Sequence, residues 1–351
     1  MFKTVMRRSM ARLQRKRLVL IALAASFFFG MCISAGAFEI PTGNEDLKAN
    51  WDNSLRYNLG YRIGSQDNAV IANPNLDDGN RNFKSGLVAN RLDILSEFDV
   101  AYKKSYGIRL SGAGWYDQVY KDHFDNDSVA TSNHLGGNWN QILGINDYVK
   151  KHYAGPDGEL LDAFAFGNFN IADIPIQIKA GRHTLYFGES LLLTAALNAI
   201  SYGQSPLDIA KGYAVPGASV KELFRPLNSV SVAVQPISTL SITGQYFLQW
   251  ESNRYPESGT YLGIYDYMLS GSESYLDPAL GVIVRGDDIT PRDAKDWGVA
   301  MRWSPGWLDG TLGFYYRNFS DRFPQAHVNL DPLMLGSSAQ INFAYASGID
   351  L

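Results

Sequence analysis

Alternation of apolar and polar residues dominates the chain after residue 38. Between Trp51 and Ile63 the odd positions are mainly apolar, and between Val88 and Tyr102 the apolar residues take the even positions. Successive side chains of a strand point to opposite faces, so each run predicts a strand with one face in an apolar medium and the other in water. Both runs exceed the length typical of soluble strands and suit a tilted strand that crosses a bilayer.

Weaker alternation predicts eight more strands. They are Tyr106–Tyr120, Leu161–Asn170, Ile174–Phe187, Asn228–Ile237, Thr239–Trp250, Asp296–Ser304, Thr311–Ser320 and Ala339–Ala346. The pattern predicts an all-β fold, an antiparallel transmembrane β-barrel with about ten strands present. A soluble secreted β-sandwich is the alternative at the level of the fold.

The connections between the predicted strands are of two kinds. Pro236–Ser238 and Pro305–Gly310 are short and rich in turn residues, which predicts tight periplasmic joins. The polar stretches Gly64–Gly86, Lys121–Leu160 and Glu251–Lys295 predict long outer loops. The Leu- and Ala-rich run Ser190–Ile200 predicts a short helix, and the irregular insert that contains it is placed either at the rim or in the lumen.

The first 37 residues have the pattern of a secretory signal. Met1–Arg17 carries seven basic residues and no acid, an apolar stretch follows from Leu18 to Ile33, and Ala35-Gly36-Ala37 ends the segment. Cleavage is predicted between Ala37 and Phe38, and an uncleaved anchor helix is the alternative. The segment also holds the single Cys, so the remaining domain, residues 38–351, offers no disulfide or cysteine metal site.

The net charge of the chain and its last residues each lead to one further expectation. Cleavage of the signal would remove its seven basic residues and leave an acidic mature chain. An acidic chain argues against nucleic acid as a partner. Outer-membrane barrels generally end in a strand with a terminal aromatic residue, whereas this chain stops at Gly348-Ile349-Asp350-Leu351. We therefore expect a barrel that lacks its C-terminal strands and is embedded in outer-membrane lipid.

Charged residues on the polar faces of the predicted strands are the candidates for lining a lumen. They are Arg56, Arg62, Arg91, Asp93, Glu97, Asp99, Arg109, Asp117 and Lys179. Two interpretations stay open: the residues pair across neighbouring strands and keep the barrel rigid, or they form a graded charge lining that selects solutes.

No catalytic constellation is found in the sequence. The five His residues are scattered, and Ser132 near His134 is too common a combination to indicate a serine hydrolase. Asp122, Asp125 and Asp127 lack the Gly and the distal Glu of a calcium loop. We therefore predict no enzyme activity, no cofactor and no metal site.

Several motifs resemble those of one family. Gly181–Ser190 is similar to a "GRQ…WGES" signature, Pro206-Leu207-Asp208 to an "NPFD" step, and Val215–Ala218 with Lys221-Glu222 to an "RPGA…KE" segment. Phe224–Asn228 resembles the return to a strand, and Asn318–Pro324 a later "NYHSRLP" run. The matching motif residues are Gly181, Arg182, Gly188, Glu189, Ser190, Pro206, Asp208, Pro216, Gly217, Lys221, Glu222, Arg225 and Pro226.

The family is domain-of-unknown-function family thirteen-oh-two, a set of proteobacterial outer-membrane barrel proteins. The resemblance implies an outer-membrane location, a periplasmic lipoprotein-carrier-like partner, an inner-membrane transporter of the resistance–nodulation–division type and movement of hydrophobic compounds. His183, Phe187 and Val215 depart from the family's usual Gln, Trp and Arg.

Together, the pattern and the resemblance predict a passive outer-membrane channel or transport barrel for small or hydrophobic solutes. A non-transporting scaffold or docking barrel is the first alternative, and an outer-membrane hydrolase is the second.

Overall fold

Strands make up most of the structure. The computed structural model describes residues 38–121, 124–126, 128, 149–187, 204–268, 271–291, 295–329 and 340–350. Its strands are β1 (Phe38–Ile40), β2 (Leu47–Arg62), β3 (Gly86–Tyr102), β4 (Tyr106–Asp117), β5 (Asp157–Ile171), β6 (Ile174–His183), β7 (Leu227–Ile237), β8 (Leu240–Phe247), β9 (Ser274–Asp277), β10 (Gly281–Arg285), β11 (Trp297–Trp303), β12 (Leu312–Phe319), β13 (Gln325–Asn329), β14 (Gln340–Ala344) and β15 (Ile349–Asp350).

The helical elements are short. They are α1 (Asp78–Arg81), α2 (Ile209–Ala214), α3 (Val220–Leu223), a 3-10 turn at Val119–Lys121 and a π-helical turn at Lys150–Ala154. Across the described ranges, no helix combines the length and the apolar character that a membrane crossing requires. The predicted signal peptide and the predicted helix Ser190–Ile200 lie outside the described residues.

Eleven strands form one main sheet in the order β1-β2-β3-β4-β5-β6-β7-β8-β11-β12-β15. From β2 to β12, every neighbouring pair is antiparallel. The predicted all-β antiparallel architecture is thus confirmed. Because the order is linear, the described strands do not close on themselves, and the arrangement is consistent with the wall of a barrel.

The main sheet carries apolar side chains on its accessible face and charged side chains on its buried face. On β3, Leu92 and Ile94 are 40% and 47% exposed, whereas their neighbours Arg91 and Asp93 are 3% and 7% exposed. A soluble sandwich would bury the apolar set between its two sheets. We call the face with Arg91 and Asp93 the inner face, and the opposite one the outer face.

Short and long connections alternate along the main sheet. Strands β5 and β6, for example, are joined by Ala172 and Asp173, both with positive φ angles (49° and 61°), as a two-residue hairpin turn requires. The short connection between β11 and β12 contains the predicted turn Pro305–Gly310. The long connections follow β2, β4, β6, β8 and β12, so they all leave the main sheet at the same end.

The long connections contain more regular structure than the sequence pattern predicts. The predicted loop Glu251–Lys295 contains β9 and β10, and these join β13 and β14 in a second sheet of order β13-β14-β10-β9. The predicted strand Ala339–Ala346 therefore belongs to this second sheet, in parallel with β10. Ile283, Ile341 and Phe343 form a small apolar cluster there, which explains the pairing. Alternation does not predict β9 and β10, which have only four and five residues.

Two other predicted loops differ from the structure: one contains a short helix, and the other ends earlier than predicted. The stretch Gly64–Gly86 contains α1, and β5 begins at Asp157, four residues before the predicted start at Leu161. The larger of two apolar clusters among the described residues lies at the end of the main sheet with the long connections and includes Val88 of β3. Phe83 makes edge-to-face ring contacts with Tyr120, Phe124 and Tyr261, which pack the long connections against one another.

Candidate functional site: a charged inner face and the segment docked on it

Opposite charges line the inner face of β2, β3 and β4. Arg56 of β2 lies directly across from Asp93 of β3, and Asp99 of β3 lies directly across from Arg109 of β4. Directly opposed residues of an antiparallel pair share a face, so the register itself places these charges side by side. Most of the predicted lumen-lining residues are therefore neighbours.

Arg109 is the centre of this network. Its guanidinium donates hydrogen bonds to Asp99 at 3.1 Å, to Asp162 of β5 at 3.3 Å and to Glu97. The Ser111 hydroxyl also donates to Asp162, at 3.1 Å. One guanidinium thus contacts three carboxylates.

The ion pair of Arg91 with Asp93 lies nearer to the end of the main sheet from which the long connections leave. Arg91 donates from Nε to both carboxylate oxygens of Asp93 at 3.0 Å, and from Nη1 to the carbonyl of Tyr153 at 3.4 Å. Its guanidinium also lies 5.9 Å from the ring centroid of Trp115. Buried charges require such partners, because an unpaired one would be expensive to desolvate.

Residues 204–226, which we call the inner segment, dock onto this charged face. The contact is made by α3: Glu222 accepts two hydrogen bonds from Arg56, at 2.9 and 3.0 Å, and Lys221 donates to Glu97 at 2.6 Å. The first pair has the two-pronged geometry that carboxylates and guanidinium groups favour. The inner segment is therefore joined to β2 and β3 by ion pairs.

Glu222 is held in place from its own helix as well. Its Oε1 accepts hydrogen bonds from the backbone N–H and the hydroxyl of Ser219, at 3.0 and 2.8 Å, as at the start of a capped helix. Burial alone would raise the pKa of Glu222, but the hydrogen bonds from Arg56 and Ser219 outweigh it and lower the pKa to about 2. Glu222 is therefore ionised at neutral pH.

The other end of the inner segment has its own anchors. Asp208 caps α2 by accepting from the Lys211 N–H at 2.8 Å, and its second oxygen accepts from Arg254 at 2.5 Å. Arg254 also donates to Glu159 of β5 at 3.3 Å. Arg225 donates to the carbonyl of Ser252 at 3.0 Å. The segment is thus tied both to the wall and to the connection after β8.

A small cavity lies between the inner segment and the sheet. It measures about 20 Å³ and is lined by charged and aromatic groups that include Arg91, Trp115, His152, Lys211 and Arg254. That volume holds about one water molecule. This cavity between the inner segment and the sheet therefore has room for a single water molecule.

Three predicted lumen-lining residues lie outside this network. Arg62 donates to backbone carbonyls, including that of Phe83 at 2.8 Å. The carboxylate of Asp117 accepts the backbone N–H groups of Asn90 and Val119, both at 3.0 Å. Lys179 lies beside the ring of Phe164, 5.5 Å from its centroid. The first two therefore hold the ends of strands in place.

Other members of the network were not among the predicted residues. Asp162 lies on the predicted strand Leu161–Asn170, but its phase also contains Phe164 and Phe166, so alternation alone does not identify it. Glu159 falls in a stretch predicted as loop, before the predicted start of β5. Arg254 and Glu251 also lie in a predicted loop, where no periodicity indicates which side chains face the sheet.

Comparison with protein families identifies the chain. The family model described as "Protein of unknown function (DUF1302)" matches residues 18–351. The chain belongs to this family. Comparisons with curated proteins and with solved structures give no match.

Four of the DUF1302 motif residues that the structure describes anchor the inner segment, and the others lie within it or on β6. Arg182 donates to the carbonyl of Leu160 at 3.1 Å and lies 3.5 Å from Glu251. Asp208, Lys221, Glu222 and Arg225 make the contacts given above. Pro206, Pro216, Gly217 and Pro226 lie within the same segment, where Gly217 has a positive φ of 80°.

The remaining motif positions divide into two groups. Gly188, Glu189 and Ser190 lie outside the described residues. Gly181 belongs to β6 and has a φ of 123°, a conformation that residues with a Cβ rarely adopt. A Cβ there would lie 2.4 Å from the carbonyl oxygen of Ala163. The glycine therefore permits the close approach of β5 and β6.

We expect Gly181→Ala to reduce the yield of folded protein strongly, because both the backbone conformation and the strand spacing oppose a methyl group. The matched control is Gly244→Ala on β8, where a Cβ would meet its nearest atom at 3.9 Å. Refolding into detergent micelles, followed by gel mobility with and without heating, measures the folded fraction. Equal yields for the two variants would contradict the prediction.

Proposed function

We propose that this chain is an outer-membrane transport barrel, a passive channel whose lumen is partly filled by the inner segment. The observation that carries the proposal is the reversed polarity of the main sheet, with Leu92 and Ile94 accessible and Arg91 and Asp93 buried on the opposite face. In a barrel the accessible apolar face contacts lipid and the charged face contacts water. The alternation of short and long connections also supports the proposal.

The charges of the inner face favour polar solutes. The network around Arg109 and the pairs of Arg56 and Arg91 would bind ions and hydrogen-bonding groups more favourably than apolar ones. We therefore propose small polar or charged solutes for the lumen itself. Movement of hydrophobic compounds, which the family resemblance implies, would need a separate route that avoids this face.

The proposal also includes a route of export and two partner proteins. The N-terminal signal pattern supports export through the Sec pathway and insertion in the outer membrane. A periplasmic lipoprotein-carrier-like protein and an inner-membrane transporter are partners that only the resemblance supports. The proposal gives the chain no catalytic role and no cofactor.

The first test is localisation and folding. Cell fractionation is expected to place the protein with the outer membrane, and the unheated protein is expected to migrate faster on a gel than the heated one. Recovery in the soluble periplasmic fraction would refute the membrane assignment.

The second test is permeation. The folded protein, reconstituted in planar bilayers, is expected to give discrete, small current steps, because the inner segment narrows the path. Liposomes that contain the protein are expected to take up small ions faster than empty ones. The absence of both signals with correctly folded protein would refute transport.

A scaffold or docking barrel is the second candidate function. The density of ion pairs between the inner segment and the wall supports it, since Glu222, Lys221 and Asp208 all engage residues outside the segment. A sealed barrel would keep these contacts in all its states. Permeation measurements with and without these contacts separate the two functions.

A further inference from the structure

Three buried carboxylates meet where two distant parts of the chain come together. Asp77 and Asp78 lie at the start of α1, and Asp266 lies in the connection after β8. Carboxylate oxygens from the three residues lie within 4.8 Å of one another, and all three side chains are buried. This is the only such acidic group among the residues that the structure describes.

The surrounding contacts fix the geometry of this acidic group. The backbone N–H of Asp78 donates to Oδ2 of Asp266 at 2.9 Å, and Asn126 donates to Oδ1 of Asp78 at 3.1 Å. A Cβ on Gly79 would lie 2.5 Å from the carbonyl oxygen of Thr260, so the two backbones are in direct contact. The carboxylates are therefore brought together by packing of the chain.

Two oxygens in the group have no protein partner within the described structure. Asp266 and Asp77 are both 0% exposed, and Oδ1 of each accepts no hydrogen bond. Arg81 pairs with the group through Oδ2 of Asp77. Burying a carboxylate oxygen without a hydrogen-bond donor costs free energy of desolvation. A cation bound by these oxygens would offset that cost.

We propose that Asp77, Asp78 and Asp266 bind a calcium ion, which joins the α1 region to the connection after β8. Calcium takes oxygen ligands at about 2.3–2.6 Å, so two of its ligands can lie up to about 5 Å apart, and the carboxylate oxygens of this group lie within that limit. Magnesium demands stricter octahedral geometry and usually keeps several waters beside one or two carboxylates, which suits a group of three protein carboxylates less well. The remaining ligands would be water or carbonyl oxygens.

A proton shared within the group is the competing explanation. Burial, followed by the charge of Asp78, raises the pKa of Asp266 well above its usual range. A proton would neutralise one carboxylate but would give no dependence on calcium. The two explanations therefore predict different binding results for the same protein.

The test is equilibrium dialysis of the folded, full-length protein against radioactive calcium after treatment with a chelator. We expect one saturable site per chain, with a dissociation constant of about 10⁻⁴–10⁻³ M or below, as in extracellular calcium modules. Asp266→Asn is expected to remove the site. Asp309→Asn, at an exposed position in the β11–β12 turn, is the matched control and is expected to keep it.

The wild-type titration decides the proposal even if Asp266→Asn does not fold. An absence of saturable binding to the wild-type protein at millimolar calcium would overturn it, as would equal binding by a folded Asp266→Asn variant. Terbium luminescence, excited through nearby tyrosines, provides a second measurement. Displacement of terbium by calcium in the wild type and in Asp309→Asn, but not in Asp266→Asn, is the expected result.

Discussion

Glu222→Gln is expected to raise the open fraction of the reconstituted channel by roughly tenfold or more. The substitution keeps the shape of the side chain but removes the charge that receives two hydrogen bonds from Arg56. Hydrogen bonds to charged groups contribute about 1.5–3 kcal/mol, and about 1.4 kcal/mol corresponds to a tenfold change in an equilibrium constant. The docked state of the inner segment should lose that stabilisation.

The control for this experiment is Glu39→Gln. Glu39 also forms an ion pair, with Lys48 at 3.6 Å, but both side chains are more than half exposed. Exposed pairs contribute little, so the currents of this variant should match the wild type. Arg56→Gln should reproduce the effect of Glu222→Gln, and the double variant should add little to either.

The acid dependence of the wild-type channel follows from the same contact. The pKa of Glu222 is lowered from 4.5 to about 2, so its contribution to docking is complete above pH 4.5 and is lost as the pH falls towards 2. Currents of the wild type should therefore rise over this interval, and those of Glu222→Gln should not. Identical currents for the two proteins at neutral pH would show that the ion pair does not control permeation.

Arg109→Gln is expected to make the channel more selective for cations. The substitution removes the one guanidinium that contacts Glu97, Asp99 and Asp162, and leaves their negative charges on the inner face. Two charges about 4 Å apart in water interact by about 1 kcal/mol, so the permeability ratio of cation to anion should rise roughly two- to fivefold. The measurement is the reversal potential in a salt gradient.

Lys48→Gln is the matched control for Arg109→Gln. It also removes one positive charge, but from the exposed pair with Glu39. Its reversal potential should equal that of the wild type. An unchanged reversal potential for Arg109→Gln, with normal folding, would mean that ions do not pass this network.

The main sheet could be predicted because its signal is periodic. Sixteen residues in β2 and seventeen in β3 give alternation enough repeats to identify a strand and assign its faces. The same phase placed Arg56, Asp93, Glu97 and Arg109 on the polar faces of their strands. Opposite charges on facing strands then form pairs without further information.

The docking of the inner segment and the second sheet could not be predicted in this way. The partner of Arg56 is Glu222, 166 positions further along the chain, and no local pattern connects the two. The partner of Asp208 is Arg254, within a stretch without periodicity. Contacts between irregular segments that are distant in the chain depend on how the main sheet folds. No local sequence pattern therefore predicts them.

The neighbour-to-neighbour order of the main sheet has a consequence for the folding route. From β2 to β8 each strand pairs with the next one along the chain, but only β3–β4, β5–β6 and β7–β8 close over short turns, at a small entropic cost. The pairs β2–β3, β4–β5 and β6–β7 close over the long connections, as does the step from β8 to β11, which brings Tyr246 opposite Trp297. Assembly should therefore proceed in two kinetic phases, with fast formation of the local hairpins and slower pairing of these hairpins with one another.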